Sequence, residues 1–267
     1  FAHISRHLFH PTRNHPAAAA ATENNHSREE FWMERLNVLQ QFATGIAYLH
    51  SHRIIHRDLK PDNVGFDYRN PTVVKIFDFN VARKLPPSSK NEDELFRFTR
   101  NVGSRRYMAP EVGQKKLYNQ QVDIYSFGLI AYQVLALPSS DKIFPDIYTI
   151  PQHETRVFVK GERPTLPTPS YSQSQSPHTK SYYWSTNLRQ QIQRSWSTRI
   201  RDRPSATALK NFFTTEIAFH KKSMLISNNN NNKILVSSMR TPASKKSRKV
   251  STSTRHHHHH RRHSSRG

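Results

Sequence analysis

Residues 54–67 read IIHRDLKPDNVGFD. This stretch presents a carboxylate at Asp58, a cation at Lys60 and an amide at Asn63. A carboxylate can act as a base towards a hydroxyl group, a lysine can lie against a phosphate, and an amide oxygen can bind a hard cation such as Mg²⁺. The stretch therefore predicts a loop that handles phosphate groups.

Further short motifs follow in chain order. Residues 56–63 fit the pattern H-R-D-L-x-x-x-N. Asp78-Phe79-Asn80 comes fifteen residues after this pattern ends and is preceded by the apolar segment VVKIF. YMAPE at 107–111 and DIYSFG at 123–128 come next, and RPS at 203–205 follows much later. The order and spacing of these pieces carry more information than any one of them.

Together these motifs resemble the C-terminal lobe of a eukaryotic protein kinase, over roughly residues 31–214. The resemblance implies a mainly α (α+β) fold with a short β-hairpin beside the catalytic loop, and ATP-dependent phosphoryl transfer to hydroxyl groups of proteins. Lys60 resembles the lysine of Ser/Thr kinases. Ser104 stands where such kinases place a Ser or Thr that bonds the catalytic Asp and Lys. YMAPE, SFG and GERP at 161–164 favour the tyrosine-kinase-like group.

The resemblance also implies the roles of the reacting groups. Phosphoryl transfer depends mainly on positioning and on charge neutralisation. Asp58 would be the catalytic base and would orient the incoming hydroxyl, and Lys60 would stabilise charge on the transferring phosphate. Asp78 and Asn63 would each hold a Mg²⁺ ion bound to ATP, because oxygen ligands suit this ion. Gly65 would lie beneath the adenine of ATP.

A second implied set of residues is regulatory. Arg57, next to the catalytic Asp, could pair with a phosphate on the long polar loop at 81–108. Thr99 is the best-placed acceptor of that phosphate by resemblance, and Ser88 and Ser89 are weaker candidates. The alternative is that these hydroxyl groups are simply solvated, since Ser and Thr are common in any exposed loop.

A third implied set is structural. His56 would pack against Phe79 and would not act as a base. Asp123 would hold the backbone of the catalytic loop from the central helix. Glu111 and Arg203 would form a partly buried ion pair, and removing one partner of such a pair costs about 3–5 kcal/mol.

The sequence also departs from the kinase pattern. Asn80 replaces the usual Gly of the metal-binding triplet, although Asn tolerates positive φ better than most residues. Gly65 replaces a larger apolar residue, so nucleotide contact is reduced. The chain has seven glycines and no G-x-G, so no glycine-rich loop, strand lysine or other part of an N-terminal lobe is recognised. We therefore expect the C-terminal lobe only, with little or no activity of this chain alone.

Three segments are predicted from composition and periodicity. Residues 1–28 form an irregular low-complexity lead-in, 29–215 form the kinase-like lobe with an inserted loop at 165–187, and 216–267 form a basic disordered tail. Within the lobe, apolar spacing predicts a helix from Glu29 to about His52 with Leu39, Phe42, Ile46 and Leu49 on one face. The apolar run at 122–137 predicts a central helix that is buried on most sides. Residues 188–200 and 204–214 are compatible with two short helices, and we expect a strand at 54–55 and hairpin strands at 64–66 and 73–77.

The charge is unevenly distributed. The formal net charge is +22, and twelve of the 41 Lys and Arg but none of the 19 Asp and Glu follow Glu216. The absence of Cys excludes disulfides and thiolate metal sites and fits an intracellular protein. No apolar run of eighteen residues and no signal peptide is present. We expect a cytoplasmic protein, with a nuclear location open because of the basic tail.

Three functions remain open at this point. The first is a Ser/Thr kinase fragment that acts on protein substrates. The second is a non-catalytic kinase-like scaffold that binds partner proteins, although a scaffold has no physical need of Asp58, Lys60, Asn63 and Asp78. The third is a basic nucleic-acid-binding protein, which explains the tail but not residues 54–111. Specific nucleic-acid recognition is not expected, and the sequence does not indicate an oligomeric state.

Overall fold

The computed structural model describes residues 25–87, 94–99, 102–136, 143–167 and 184–238. The chain divides into two units, 1–222 and 223–267, and the first contains the core and the predicted site. The helices are α1 (Asn25–Ser51), α2 (Pro110–Gly113), α3 (Gln121–Ala136), α4 (Ile150–His153), α5 (Thr186–Ser195) and α6 (Ala206–Ser238). A π-helical stretch follows α4, and single 3₁₀ turns occur at Pro61–Asn63, Arg105–Tyr107 and Ile200–Asp202.

The hydrophobic core is built around α3. Fourteen of its sixteen residues are buried, which agrees with the prediction of a central helix buried on most sides. The predicted apolar face of α1 is also buried, and its Phe42 ring lies 5.3 Å from that of Phe127 on α3. Phe127 in turn lies 5.9 Å from Phe213 on α6. Aromatic packing thus joins the three longest helices.

The strands form two small antiparallel sheets. β2 (Val64–Phe66) pairs with β3 (Val74–Ile76), with Gly65 opposite Lys75, and this is the predicted hairpin. β1 (Ile54–Ile55) pairs with β4 (Arg83–Lys84). Residues 56–63 run from β1 to β2, so the predicted catalytic loop is fixed by a sheet at each end. The mainly α fold class with a hairpin beside this loop is confirmed.

Some predicted boundaries differ from the structure. Strand β4 lies inside the predicted loop at 81–108, α1 begins at Asn25 inside the predicted lead-in, and α5 begins at Thr186 inside the predicted insert and ends at Ser195. Helix α6 continues to Ser238, although the sequence predicted no regular structure there. Ile217 and His220 are buried, so tertiary packing nucleates this part of the helix and each further residue adds one hydrogen bond.

No helix among the described residues has both the length and the apolar character needed to cross a bilayer.

Candidate active site

The backbone of the catalytic loop is held by Asp123, in the first turn of α3. One oxygen of its carboxylate accepts the Arg57 N–H and the other accepts the His56 N–H, each at 2.9 Å. His50, near the end of α1, lies 3.0 Å from the second oxygen through Nε2. Asp123 is 1% exposed, so the loop is anchored from the core, as the resemblance implied. His50 was not singled out from the sequence.

The structure brings Asp58, Lys60 and Asn63 together. Lys60 Nζ lies 3.5 Å from Asp58 Oδ2, and Asn63 Nδ2 donates to the same oxygen at 3.2 Å and to the Asp58 carbonyl at 2.8 Å. The other carboxylate oxygen accepts the backbone N–H of Ser104 at 2.6 Å. Hydrogen bonds to an ionised acceptor are short and strong, so this carboxylate is fixed in orientation.

His56 is fully buried and connects the loop to the segment before Asp78. The Asp58 N–H donates to Nδ1 at 3.3 Å, so Nδ1 must be an acceptor. Nε2 then carries the proton and donates to the Phe77 carbonyl at 2.8 Å. The ring lies 5.0 Å from that of Phe79. These contacts fit the structural role and leave His56 no proton-accepting atom free.

Asp78 is exposed and adopts a left-handed backbone with φ of 60°. Its Oδ1 accepts the Asn80 N–H at 3.4 Å, and the Phe77 N–H donates to the Asn63 carbonyl at 2.8 Å. That backbone bond brings the two predicted metal-binding residues to adjoining chain segments. The left-handed residue of the triplet is therefore Asp78, and Asn80 is not among the residues with positive φ.

The contact of Ser104 differs in its atoms from the one expected. Its backbone N–H, and not its hydroxyl, contacts Asp58. Gly103 has φ of 100°, and a Cβ there would fall on the Arg57 carbonyl oxygen and lie 3.5 Å from Asp58 Oδ1. The close approach of Ser104 to the catalytic loop thus requires glycine before it. The sequence offered only an isolated glycine, which did not identify this requirement.

Arg57 binds the segment that follows β3. It has φ of 69°, and its Nε donates to the Val81 carbonyl at 2.6 Å. Its NH1 donates to the Tyr118 hydroxyl at 3.2 Å, and that hydroxyl donates to the Thr99 carbonyl at 3.3 Å. The backbone carbonyl of Thr99, the predicted phosphorylation site, is therefore linked to Arg57 through one hydroxyl group. Ser88 and Ser89 lie outside the described residues.

Comparison with known families agrees with this geometry. A model of the protein kinase domain matches residues 15–213, which is most of the chain. The chain belongs to the protein kinase family. The match starts earlier than residue 31, where the resemblance was predicted to start. The prediction that the chain holds the C-terminal lobe alone stays a prediction.

Individual kinases match shorter parts of the chain. The chain is 38% identical over 150 residues to the eukaryotic translation initiation factor 2-alpha kinase pek-1 of Caenorhabditis elegans, covering 52% of the chain and 13% of that protein. It is 30% identical over 172 residues to the serine/threonine-protein kinase VIK of Arabidopsis thaliana, covering 64% and 35%. A third relative, the inhibitor of nuclear factor kappa-B kinase subunit alpha of Xenopus laevis, is 41% identical over 102 residues, covering 38% and 13%. The chain thus spans about a third or less of these relatives.

Protein kinases in general use ATP and Mg²⁺, and Asn63 and Asp78 carry oxygen atoms of the kind that Mg²⁺ binds. The amide nitrogen of Asn63 donates to Asp58, so its Oδ1 is the atom that could bind a cation. The Asp78 carboxylate is exposed. No cluster of three His, Cys, Asp or Glu side chains able to hold a metal lies within the described part of the chain. Mg²⁺ does not require one, because it retains waters and takes phosphate oxygens as ligands.

The predicted pair of Glu111 and Arg203 is formed, and it joins α2 to the residue that follows the 3₁₀ turn at Ile200–Asp202. Arg203 NH1 and NH2 donate to the two Glu111 oxygens at 2.6 and 2.9 Å. Nearby, Tyr107 donates to Gln133 of α3 at 2.7 Å, and burial raises the pKa of Tyr107. The segment that contributes Ser104 is thereby attached to the core, and the Tyr107 hydroxyl stays neutral.

Proposed function

We propose that this chain carries the phosphoryl-transfer site of a protein Ser/Thr kinase that uses ATP and Mg²⁺. The observation that carries the proposal is the fixed carboxylate of Asp58, contacted by the Ser104 amide, Asn63 and Lys60. A carboxylate held on both oxygens can still accept the hydrogen of an incoming hydroxyl through a remaining lone pair. It would thereby orient that hydroxyl for in-line attack on phosphorus.

Lys60 would act on the charge that the transferring phosphate carries. Its Nζ lies 3.5 Å from Asp58 and its side chain is about one quarter exposed, so the ammonium can reach a group bound beside Asp58. Asn63 and Asp78 would hold Mg²⁺, which neutralises the phosphate oxygens when it is bound. Gly65 lies in β2 beside Asn63, where we propose that it forms part of the nucleotide floor.

The preference for Ser and Thr is proposed from Lys60 and from the closeness of Ser104 to Asp58. The name of one matched relative, VIK, supports it. The substrates would be proteins. Phosphorylation of the exposed Thr99 side chain would add a negative group near Arg57, so we propose regulation at this position.

The test compares the complete gene product with an Asp58→Asn variant, because the chain spans only part of its relatives. Transfer of labelled phosphate from MgATP to a mixed protein substrate is followed, and the labelled amino acids are identified. We expect phosphoserine and phosphothreonine, and a fall in kcat of roughly 10²- to 10⁴-fold with Asp58→Asn. Asp202→Asn, an exposed acid in a 3₁₀ turn, is the matched control and should not change kcat.

Equal kcat of Asp58→Asn and wild type would refute the role of Asp58. Absence of transfer by both proteins, with intact MgATP binding, would favour the scaffold alternative.

A further inference from the structure

Tyr118 joins the 94–99 segment to the catalytic loop. We propose that it is a positioning residue which holds this segment against Arg57 without any phosphate group. The inference rests on the proposed function, since it concerns how the same site is regulated. Tyr118 lies between α2 and α3, and it is only 2% exposed.

The backbone and ring of Tyr118 already pair with the segment. Phe96 and Tyr118 exchange two backbone hydrogen bonds, at 2.9 and 3.1 Å, in an isolated antiparallel bridge. The Phe98 ring lies 5.2 Å from the Tyr118 ring. These contacts do not depend on the hydroxyl group, so they would remain if Tyr118 were replaced by Phe.

The hydroxyl of Tyr118 adds two hydrogen bonds whose donors and acceptors can be assigned in only one way. A tyrosine hydroxyl has one hydrogen to donate and can accept another hydrogen bond. Arg57 can only donate and the Thr99 carbonyl can only accept, so the hydroxyl accepts from Arg57 and donates to Thr99. Both capacities of this buried group are used by residues 42 positions apart in the chain.

Arg57 connects Tyr118 to the residue that bears the proposed catalytic carboxylate, Asp58. Its side chain is held at Val81 and Tyr118, its N–H is held by Asp123, and the next residue is Asp58. Among the described residues, Arg57 forms no ion pair with a carboxylate. The Tyr118 hydroxyl therefore takes one of the guanidinium donors that a phosphate on the segment could also use.

This arrangement changes what phosphorylation of Thr99 would do. The segment is already docked through Tyr118, so a phosphate would strengthen an existing contact with Arg57 or displace the hydroxyl from it. Docking of residues 94–99 should consequently be measurable in the unphosphorylated chain.

The test is hydrogen exchange on the phosphatase-treated 267-residue chain, followed at single amides by NMR. We expect the Phe96 amide to be protected in wild type. Tyr118→Phe should accelerate its exchange about tenfold relative to amides of α3, since a hydrogen bond to a charged group is lost. The Arg57 Nε–H resonance should shift in the same variant. In an Arg57→Gln background, the effect of Tyr118→Phe should fall to about threefold or less.

Tyr107→Phe is the matched control, because it removes a tyrosine hydroxyl bonded to Gln133 and not to the 94–99 segment. It should leave Phe96 exchange unchanged. An unprotected Phe96 amide in dephosphorylated wild type would overturn the proposal without any variant. Equal acceleration at Phe96 and throughout α3, or full additivity with Arg57→Gln, would also overturn it. None of these results depends on catalysis, so they are distinguishable from failure of the proposed kinase activity.

Discussion

Arg203 carries a guanidinium group that is removed from solvent. Its side chain is 0% exposed, and its partner Glu111 is 6% exposed. Besides the two bonds to Glu111, it donates to the Gln121 carbonyl at 3.0 Å and the Ser197 carbonyl at 2.9 Å. Its Cζ lies 5.2 Å from the centre of the Tyr125 ring. Arg203→Met keeps much of the apolar volume and removes all of these donors.

The expected loss of stability follows from the charge that remains. Without Arg203, Glu111 must either stay ionised in a buried site or take up a proton, and two part-buried carbonyls lose a donor. Removal of one partner from such a pair costs about 3–5 kcal/mol. For a domain of this size 1 kcal/mol corresponds to roughly 2–4 °C in the unfolding midpoint. We therefore expect the midpoint of Arg203→Met to fall by roughly 6–20 °C.

Urea and thermal unfolding, followed by circular dichroism, measure this loss. Arg156 and Glu162 form a matched control, because they also make a two-bond fork, through Nε and NH2 at 2.7 and 2.6 Å, but are about one third exposed. Arg156→Met should leave the midpoint almost unchanged, since water replaces the lost contacts. The double variant Glu111→Leu/Arg203→Met should recover most of the loss, because no buried charge is left. Similar losses for Arg203→Met and Arg156→Met would refute the role of burial.

Two further predictions concern backbone strain and pH. Gly103→Ala should lower kcat of the active gene product roughly a hundredfold, because its Cβ displaces the Arg57 carbonyl beside Asp58. Gly161→Ala is the control, because Gly161 also has a positive φ, of 73°, but an added Cβ would lie 3.7 Å from its nearest atom. A wild-type kcat for Gly103→Ala would contradict the prediction. Burial and nearby arginines lower the pKa of His153 to about 4. In the unfolded chain this histidine has its ordinary pKa of about 6.5, so the unfolded chain binds the proton at a higher pH than the folded chain does. The free energy of unfolding should therefore decrease as the pH is lowered from about 6.5 to 4. Urea unfolding at several pH values should show that His153→Phe removes about 3 kcal/mol of this dependence, and an unchanged dependence would contradict the assignment.

Much of the fold was predictable because local sequence encodes it. Apolar spacing predicted the buried face of α1, and the continuous apolar run predicted α3. Strand β4 was missed because its two residues are exposed and polar, and its structure is set by pairing with a strand some thirty residues earlier. The length of α6 was missed because amino-acid composition does not show whether an adjoining segment is already helical. A helix that has been nucleated by packing can extend into a sequence that would not start one.

The residues of the site were likewise predictable where they lie in one local motif, and were missed where they depend on distant parts of the chain. Asp58, Lys60 and Asn63 lie in one short motif, so their meeting at one carboxylate was predictable from it. The contributions of His50 and Tyr118 depend on partners far away in the chain, and no local pattern marks them. For Ser104 a contact with Asp58 was expected, but the atom that makes it was not, because a backbone N–H is common to every residue except proline.

The two supports of the catalytic carboxylate differ in local stability. On one side the loop is bonded to Asp123, which cannot move unless the buried helix α3 moves with it. On the other side Asp58 Oδ1 is bonded to Ser104, which is only partly buried and follows the half-exposed 94–99 segment. Segments with few buried contacts open at lower free energy than the core. A signal that alters the site should therefore act through residues 94–99 and 102–104 and through the contact of Thr99 with Tyr118, and should leave the anchor on α3 unchanged.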